Sequence, residues 1–191
     1  MKKSKASDIA ILSILIATII VIQALSTYIY AVWPIPIQPT FASVPVIVGA
    51  CLLGWKRGAF LGFAMGLILF VQASITPGAT NFLFTPAMPD PALHGPNWWS
   101  IVVTFVPRIL IGLFAGLVYK VMKNRAGAGL AGLVGAATNT VFVLGFIFLF
   151  FKGTTMTSIL ALIISWNSLV EVAAAAILTS AIVPILEKSR H

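Results

Sequence analysis

The sequence contains little charge, and acidic residues are especially scarce. Charged residues make up 8% of the 191 positions, with four aspartates and glutamates against 12 lysines and arginines. By contrast, 60% of the residues are hydrophobic and the mean hydropathy is +1.07. A water-soluble core of this length does not need so much apolar sequence, whereas each span of a membrane protein needs about 20 mostly apolar residues. We therefore expect a multi-span membrane protein.

Cysteines and the common catalytic motifs are also scarce or missing. Cys51 is the single cysteine, which excludes a disulfide framework and a cysteine metal cluster. The sequence has no G-x-x-x-x-G-K-[ST] loop for ATP. It also has neither G-x-S-x-G nor H-E-x-x-H, so it lacks catalytic motifs that would indicate a membrane hydrolase or lipid transferase. We expect no enzymatic activity, no metal site and no cofactor bound by this chain.

The apolar runs are long and continuous, which favours helices over the alternating strands of a barrel. They predict an all-α fold in which residues 1–191 form a single six-helix transmembrane domain. The second span is short, which leaves room for a broken or tilted element, and a proline-rich connection precedes it. The predicted spans are 8–29, 42–55, 58–75, 99–121, 127–151 and 158–185.

The basic residues predict the orientation of these spans. A net charge of +8 could indicate nucleic-acid binding, but the lysines and arginines are scattered in short segments between apolar runs. If both termini are cytoplasmic, the basic loops fall inside and only Lys152 falls in an outer loop. We therefore interpret the charge as a topology signal and expect lipid, not nucleic acid, around the chain.

A long segment, 74–98, then connects spans three and four on the outside. It is rich in proline, asparagine and aromatic residues, and long ordered loops of this kind tend to be lids or binding loops. The apolar residues Phe82, Leu83, Phe84 and Met88 argue against a fully solvated loop. We expect them to anchor the segment against the helices.

Three polar residues at membrane depth are the main functional candidates: Arg108, Asn139 and Glu171. A charge near the bilayer centre costs at least about 2.5–3.5 kcal/mol, so it must face a polar cavity or a partner. Arg108 could anchor an anionic substrate or form a structural ion pair with Glu171. Pro107 precedes it and should free a local carbonyl. Asn139 could bind substrate or another helix.

Further candidates lie around these three residues. Asn167 is four residues before Glu171 on the same helical face, and it would face substrate if Glu171 pairs with Arg108. Asn97 and Trp98 join the outer loop to the Arg108 helix, where they could contact a ligand or belong to an aromatic belt. Gln72 is a candidate for the rim of the pocket.

Small residues recur at helical spacing and predict faces on which helices approach closely. Gly54, Gly58, Gly62 and Gly66 repeat every four residues, and Gly112 and Gly116 follow Thr104 and Arg108 on one face. Most of these faces should pack inside the bundle. Ala10, Ser13 and Ala17 line one side of the first span, where an exposed face could dock a partner.

Taken together, these blocks resemble a known family. Their arrangement is similar to that of the substrate-binding S components of energy-coupling factor (ECF) vitamin transporters. The blocks are the basic start with its small-residue first span, PIPIQPTFASVPVIVGACLLGWKRGAFLGFAMGL, FVPRILIGLFAGLVYKVMK and AGLVGAATNTVFVLG. The resemblance covers nearly the whole chain. Within the family it is strongest to the pantothenate-specific members, although riboflavin and folate binders share the layout.

The resemblance implies a division of labour. An S component captures its vitamin from outside, associates with a T component and two ATPases that use ATP, and tips in the membrane to release the vitamin inside. Family members often carry A-x-x-x-A on the first helix for docking. Here Ala10 fits the first position but Ile14 occupies the second, so Ser13 and Ala17 are taken as further docking residues.

The resemblance and the polar residues together predict an S subunit for pantothenate or a similar small anionic vitamin. Arg108 would hold the carboxylate, and Asn139 and Asn167 would bind polar groups. The rival interpretation is a proton-coupled secondary transporter that uses Glu171 and needs no ATPase.

Overall fold

The computed structural model describes residues 5–32, 41–76, 78, 80–151 and 168–189. These residues form an all-helical structure, as the sequence predicts. Five of its six α-helices are long and apolar enough to cross a membrane. The helices are α1 (Lys5–Val32), α2 (Ser43–Leu53), α3 (Trp55–Ile75), α4 (Trp99–Val121), α5 (Arg125–Phe150) and α6 (Ser168–Ser189), and a short 3₁₀ helix spans Asn81–Leu83.

The predicted boundaries fit some helices better than others. Helix α4 begins and ends at the predicted residues. The last predicted span, 158–185, is described only from Ser168 onwards, and its helix continues to Ser189. The second predicted span, 42–55, contains a helix of only 11 residues, which is too short to cross the membrane by itself.

Helix α2 is the centre of the bundle. Residues Ser43 to Leu52 are all buried, and α2 contacts α1, α3, α4, α5 and α6. A helix that is apolar on every side needs such an environment. At 1.5 Å per residue α2 is about 16 Å long, roughly half the thickness of the hydrocarbon layer. It therefore fills only part of the depth of the core.

A glycine turn joins α2 to α3. Gly54 has φ +91° and ψ 164°, a backbone conformation that residues with a Cβ rarely adopt. The chain reverses there, so that Ala50 of α2 lies against Gly58 of α3 and Gly49 lies against Leu61. The turn explains why α2 ends after 11 residues and why α3 begins at once.

The predicted small-residue faces of α3 and α4 pack against each other. Gly58 lies against the Gly112 backbone, Gly62 against the carbonyl of Arg108, Gly66 against Thr104 and Phe105, and Gly116 against Trp55. At Gly62 a Cβ atom would overlap the Arg108 carbonyl oxygen. The backbone of Arg108 is therefore held in position by close contact with α3.

Helix α1 is attached more loosely than the others, and most of its apolar side chains are exposed. Near its first turn, Asp8 pairs with Arg57 of α3 at 2.5 Å. Near its other end, Thr27 accepts a hydrogen bond from Gln72 of α3. These two contacts join α1 to the same neighbouring helix, one near each end.

The segment that joins α3 to α4 packs onto the bundle, and its apolar residues anchor it there as expected. Phe82 and Leu83 are buried with Val103 of α4 and Ile147 of α5, and Phe84 and Met88 pack against the same cluster. Two hydrogen bonds add to this packing: the Ser74 and Thr85 hydroxyls lie 2.7 Å apart, and Thr104 donates to the Phe84 carbonyl at 2.7 Å. The described part of this segment therefore covers one end of the bundle.

Candidate functional site

Three buried polar side-chain atoms have no hydrogen-bond partner among the described residues. They are Oε1 of Gln72, Nε of Arg108 and Oδ1 of Asn139. Protein interiors satisfy nearly all such atoms, so each exception needs an explanation. All three belong to residues that the sequence predicts to bind substrate. A bound polar ligand would explain them together.

Arg108 extends along α4 towards the N-terminal end of the helix. Its side chain is only 6% exposed, and Nη1 donates to the Val103 carbonyl at 2.7 Å. That carbonyl would normally accept the backbone N–H of residue 107, but Pro107 has none. The predicted effect of Pro107 is confirmed, since the arginine bonds to the carbonyl that the proline frees.

The guanidinium also lies beneath the segment that joins α3 to α4. Its Cζ is 5.3 Å from the centroid of the Phe84 ring, and Thr104, one turn before Arg108, holds the Phe84 carbonyl. A cation over an aromatic face is attracted to the π-electrons. The ring and the hydrogen bond cover the arginine on the side that faces the loop.

Glu171 belongs to the same electrostatic environment. It lies in the first described turn of α6 and interacts attractively with Arg108. The sequence leaves open whether Arg108 binds a substrate or forms an ion pair with Glu171. The charge of Glu171 attracts that of Arg108, and Nε of Arg108 has no hydrogen-bond partner among the described residues.

Asn139 lies on the inward face of α5. It follows Gly135 by one turn, and Gly135 packs against Ile47 of α2 and Ala115 of α4. The neighbouring hydroxyl groups bond within the helix, Thr138 to the Val134 carbonyl at 2.7 Å and Thr140 to a carbonyl one turn earlier. Oδ1 of Asn139 is the polar atom of this stretch that stays buried without a partner.

Gln72 lies on the inward face of α3, since it is 14 residues after Gly58 and seven after Met65, both buried. It is six residues beyond Gly66, which packs beside Thr104. This separation is about 9 Å along the helix axis. Gln72 therefore lies nearer than the guanidinium to the end of the bundle where α3 ends and α4 begins.

The short α2 lies beside only part of this region. It begins at Ser43, and Ile47 lies level with Gly135. Asn139 is one turn, about 6 Å, beyond Gly135 and so level with the start of α2. The three unpartnered atoms thus come from α3, α4 and α5, towards the end of the bundle at which α2 begins.

Other candidate residues lie elsewhere. Asn97 is buried, but its Nδ2 donates to Asp90 at 2.8 Å and its Oδ1 accepts from the Trp99 backbone N–H at 3.2 Å. Trp98 is 68% exposed. Neither belongs to the group with unpartnered atoms, and Asn167 lies outside the described residues.

Sequence reasoning missed the roles of three contributors. Phe84 was expected to anchor the loop, but not to cover the guanidinium. Thr27 gave no functional signal, because its link to Gln72 joins residues 45 positions apart. Thr104 could have been found, since it shares a helical face with Arg108.

Comparison with known proteins gives consistent matches. Residues 7–185 match the family model described as ECF transporter, substrate-specific component. The chain is 50% identical over 194 residues to "Pantothenic acid transporter PanT" of Lactococcus lactis subsp. cremoris (strain MG1363), covering 100% of this chain and 99% of that protein. It is 33% identical over 173 residues to "Pantothenate transporter PanT" of Leuconostoc mesenteroides subsp. mesenteroides, covering 80% and 78%.

Proposed function

Because this chain belongs to the substrate-specific components of ECF transporters, we propose that it binds pantothenate within the membrane and delivers it for import. Both named relatives are pantothenate transporters, and one of them matches the full length of the chain. The chain would act as a binding subunit, with ATP hydrolysis carried out by partner ATPases.

The observation that carries the proposal is the chemistry of the three unpartnered atoms. They comprise one cationic donor, on Arg108, and two amide oxygen acceptors, on Gln72 and Asn139. Pantothenate offers a carboxylate, an amide N–H and two hydroxyls. A guanidinium suits a carboxylate, and the amide oxygens suit hydroxyl or N–H donors.

These complementary groups define the proposed roles. Arg108 holds the carboxylate, while Asn139 and Gln72 accept hydrogen bonds from the rest of the ligand. Asn167 is a further proposed contact from α6, and Asn97 and Trp98 are proposed loop-side contacts. Phe84, in the loop between α3 and α4, covers Arg108 from the outside, and the ligand would bind beneath this loop.

The proposed topology has six spans, cytoplasmic termini and an extracellular loop between α3 and α4. The second of these spans contains α2, which is about half a membrane thickness long. The T component would dock on α1, where Ala10, Ser13 and Ala17 are exposed. Beside this face lie two apolar hollows of about 260 and 290 Å³, both lined by Leu15 of α1 and Leu186 of α6.

The test is calorimetric titration of the detergent-purified protein with pantothenate, riboflavin, folate, thiamine and biotin. We expect saturable binding of pantothenate alone. Arg108→Ala should weaken it roughly 10- to 150-fold, since hydrogen bonds to charged groups contribute about 1.5–3 kcal/mol. Arg57→Ala is the control, because it also removes an arginine, one that is partly exposed and forms an ion pair with Asp8 remote from the site.

The alternatives give different results. Selective binding of another vitamin would keep the subunit function and change its substrate. Concentrative uptake by this chain alone in liposomes, driven by a proton gradient, would support the carrier with Glu171 instead. A folded Arg108→Ala protein with full affinity for pantothenate would remove the central element of the proposal.

A further inference from the structure

The hydroxyl of Thr27 has two hydrogen-bond partners. It lies 2.9 Å from the Gln23 carbonyl, one turn earlier in α1, and it also contacts Nε2 of Gln72 in α3. A hydroxyl carries a single proton but can accept as well as donate. Since the Gln23 carbonyl can only accept, the proton of Thr27 is directed to it. Towards Gln72 the hydroxyl therefore presents a lone pair.

This arrangement fixes the orientation of the Gln72 amide. A carboxamide has a donor end and an acceptor end, and a flip exchanges them. With a lone pair on Thr27, the NH₂ group must face α1, and Oε1 must face away from it. Oε1 is buried and has no partner among the residues that the structure describes. On the side that faces away from α1, Gln72 thus presents only a hydrogen-bond acceptor.

We propose that Thr27, which lies outside the binding site, sets the hydrogen-bond polarity of the Gln72 position and so makes the site require a donor from its ligand there. This inference rests on the proposed function, and it assigns Thr27 as a positioning residue. Gln72 lies further out than the Arg108 guanidinium, so it would meet the hydroxyl-bearing end of pantothenate once Arg108 holds the carboxylate.

The consequence is selectivity. A ligand that brings an acceptor or a methyl group to Oε1 leaves this buried carbonyl without a hydrogen bond. Binding sites built around a hydrogen bond strongly reject such ligands. Thr27→Val keeps the size of the side chain and removes the lone pair. The Gln72 amide is then free to turn its NH₂ group towards the ligand.

The test compares pantothenate with an analogue whose terminal hydroxyl is a methyl ether, by calorimetry on the full-length protein. We expect the wild-type chain to prefer pantothenate at least tenfold, Thr27→Val to lose most of that preference, and Thr27→Ser to retain it. Thr18→Val is the matched control, since Thr18 makes the same bond to a carbonyl one turn earlier, at 2.8 Å.

A double-mutant cycle then separates positioning from a general packing effect. In a Gln72→Leu background, Thr27→Val should change the affinity for pantothenate less than twofold, because the amide that it orients is gone. An undiminished effect in that background would overturn the inference, as would full preference for pantothenate in Thr27→Val. Failure of the wild-type chain to bind pantothenate would instead refute the proposed function.

Discussion

Replacing Gly62 by alanine should weaken ligand binding through the backbone of Arg108. A Cβ atom at this position would overlap the Arg108 carbonyl and lie 3.0 Å from Cα of Ile109. Backbone atoms cannot move aside as a flexible side chain can, so α4 must shift away from α3. The side chains that bind a ligand must be held within about 0.5 Å of their productive positions.

The size of the effect follows from the strain. Overpacking of a tight core typically costs about 1–3 kcal/mol. The unloaded protein can relieve this strain by moving α4, but the ligand needs Arg108 in its native position and must restore it. The dissociation constant for pantothenate should then rise about 5- to 150-fold, since 1.4 kcal/mol corresponds to a factor of ten. Calorimetry on folded Gly62→Ala protein measures it.

Two other glycines serve as controls. Gly58→Ala produces the same kind of overlap one turn further in, against Ala50 and the Gly112 backbone, and should lower thermal stability with a smaller effect on affinity. Gly145→Ala meets no atom within 4 Å in the part of the chain that the structure describes and should alter neither. Unchanged affinity in Gly62→Ala would refute the reasoning. An equal loss in Gly58→Ala would show that general packing, not Arg108, is responsible.

Three further substitutions test the surroundings of the site. Arg108→Lys keeps the charge but loses the planar guanidinium. The affinity for pantothenate measured by calorimetry should fall about tenfold, less than in Arg108→Ala. An equal loss in the two variants would show that the positive charge alone does not contribute to binding. Thr104→Val removes the 2.7 Å bond to the Phe84 carbonyl, worth about 0.5–1.5 kcal/mol, so stopped-flow dissociation should accelerate several-fold; an unchanged rate would exclude Phe84 as a cover. Tyr119→Phe removes the 2.8 Å bond to Glu187 and should cost about 1 kcal/mol of stability in a thermal melt. A change in affinity there would contradict its placement outside the site.

The sequence predicts most of the helices because long apolar runs have few alternatives in a membrane. It also predicts the contact between α3 and α4, since glycines four residues apart form a continuous face on each helix. The bond from Arg108 to Val103 follows from Pro107, which lies four residues after the carbonyl that it frees. These features depend on residues close together in the chain.

The remaining features depend on contacts between distant segments. Thr27 and Gln72 are 45 positions apart, so no local pattern reveals that one orients the other. The sequence predicts Asn97 as a pocket residue but does not reveal that its amide donates a hydrogen bond to Asp90. The turn that allows this includes His94 with φ +52°, a conformation that the sequence does not reveal.

The most direct test of the account is a structure of this protein bound to pantothenate. We expect the carboxylate oxygens about 2.7–2.9 Å from the Arg108 guanidinium nitrogens, with the amide or hydroxyl groups bonded to Oδ1 of Asn139 and Oε1 of Gln72. All three polar atoms would then have partners. A ligand whose carboxylate lies elsewhere, with Arg108 directed only at Val103 and Glu171, would contradict the account.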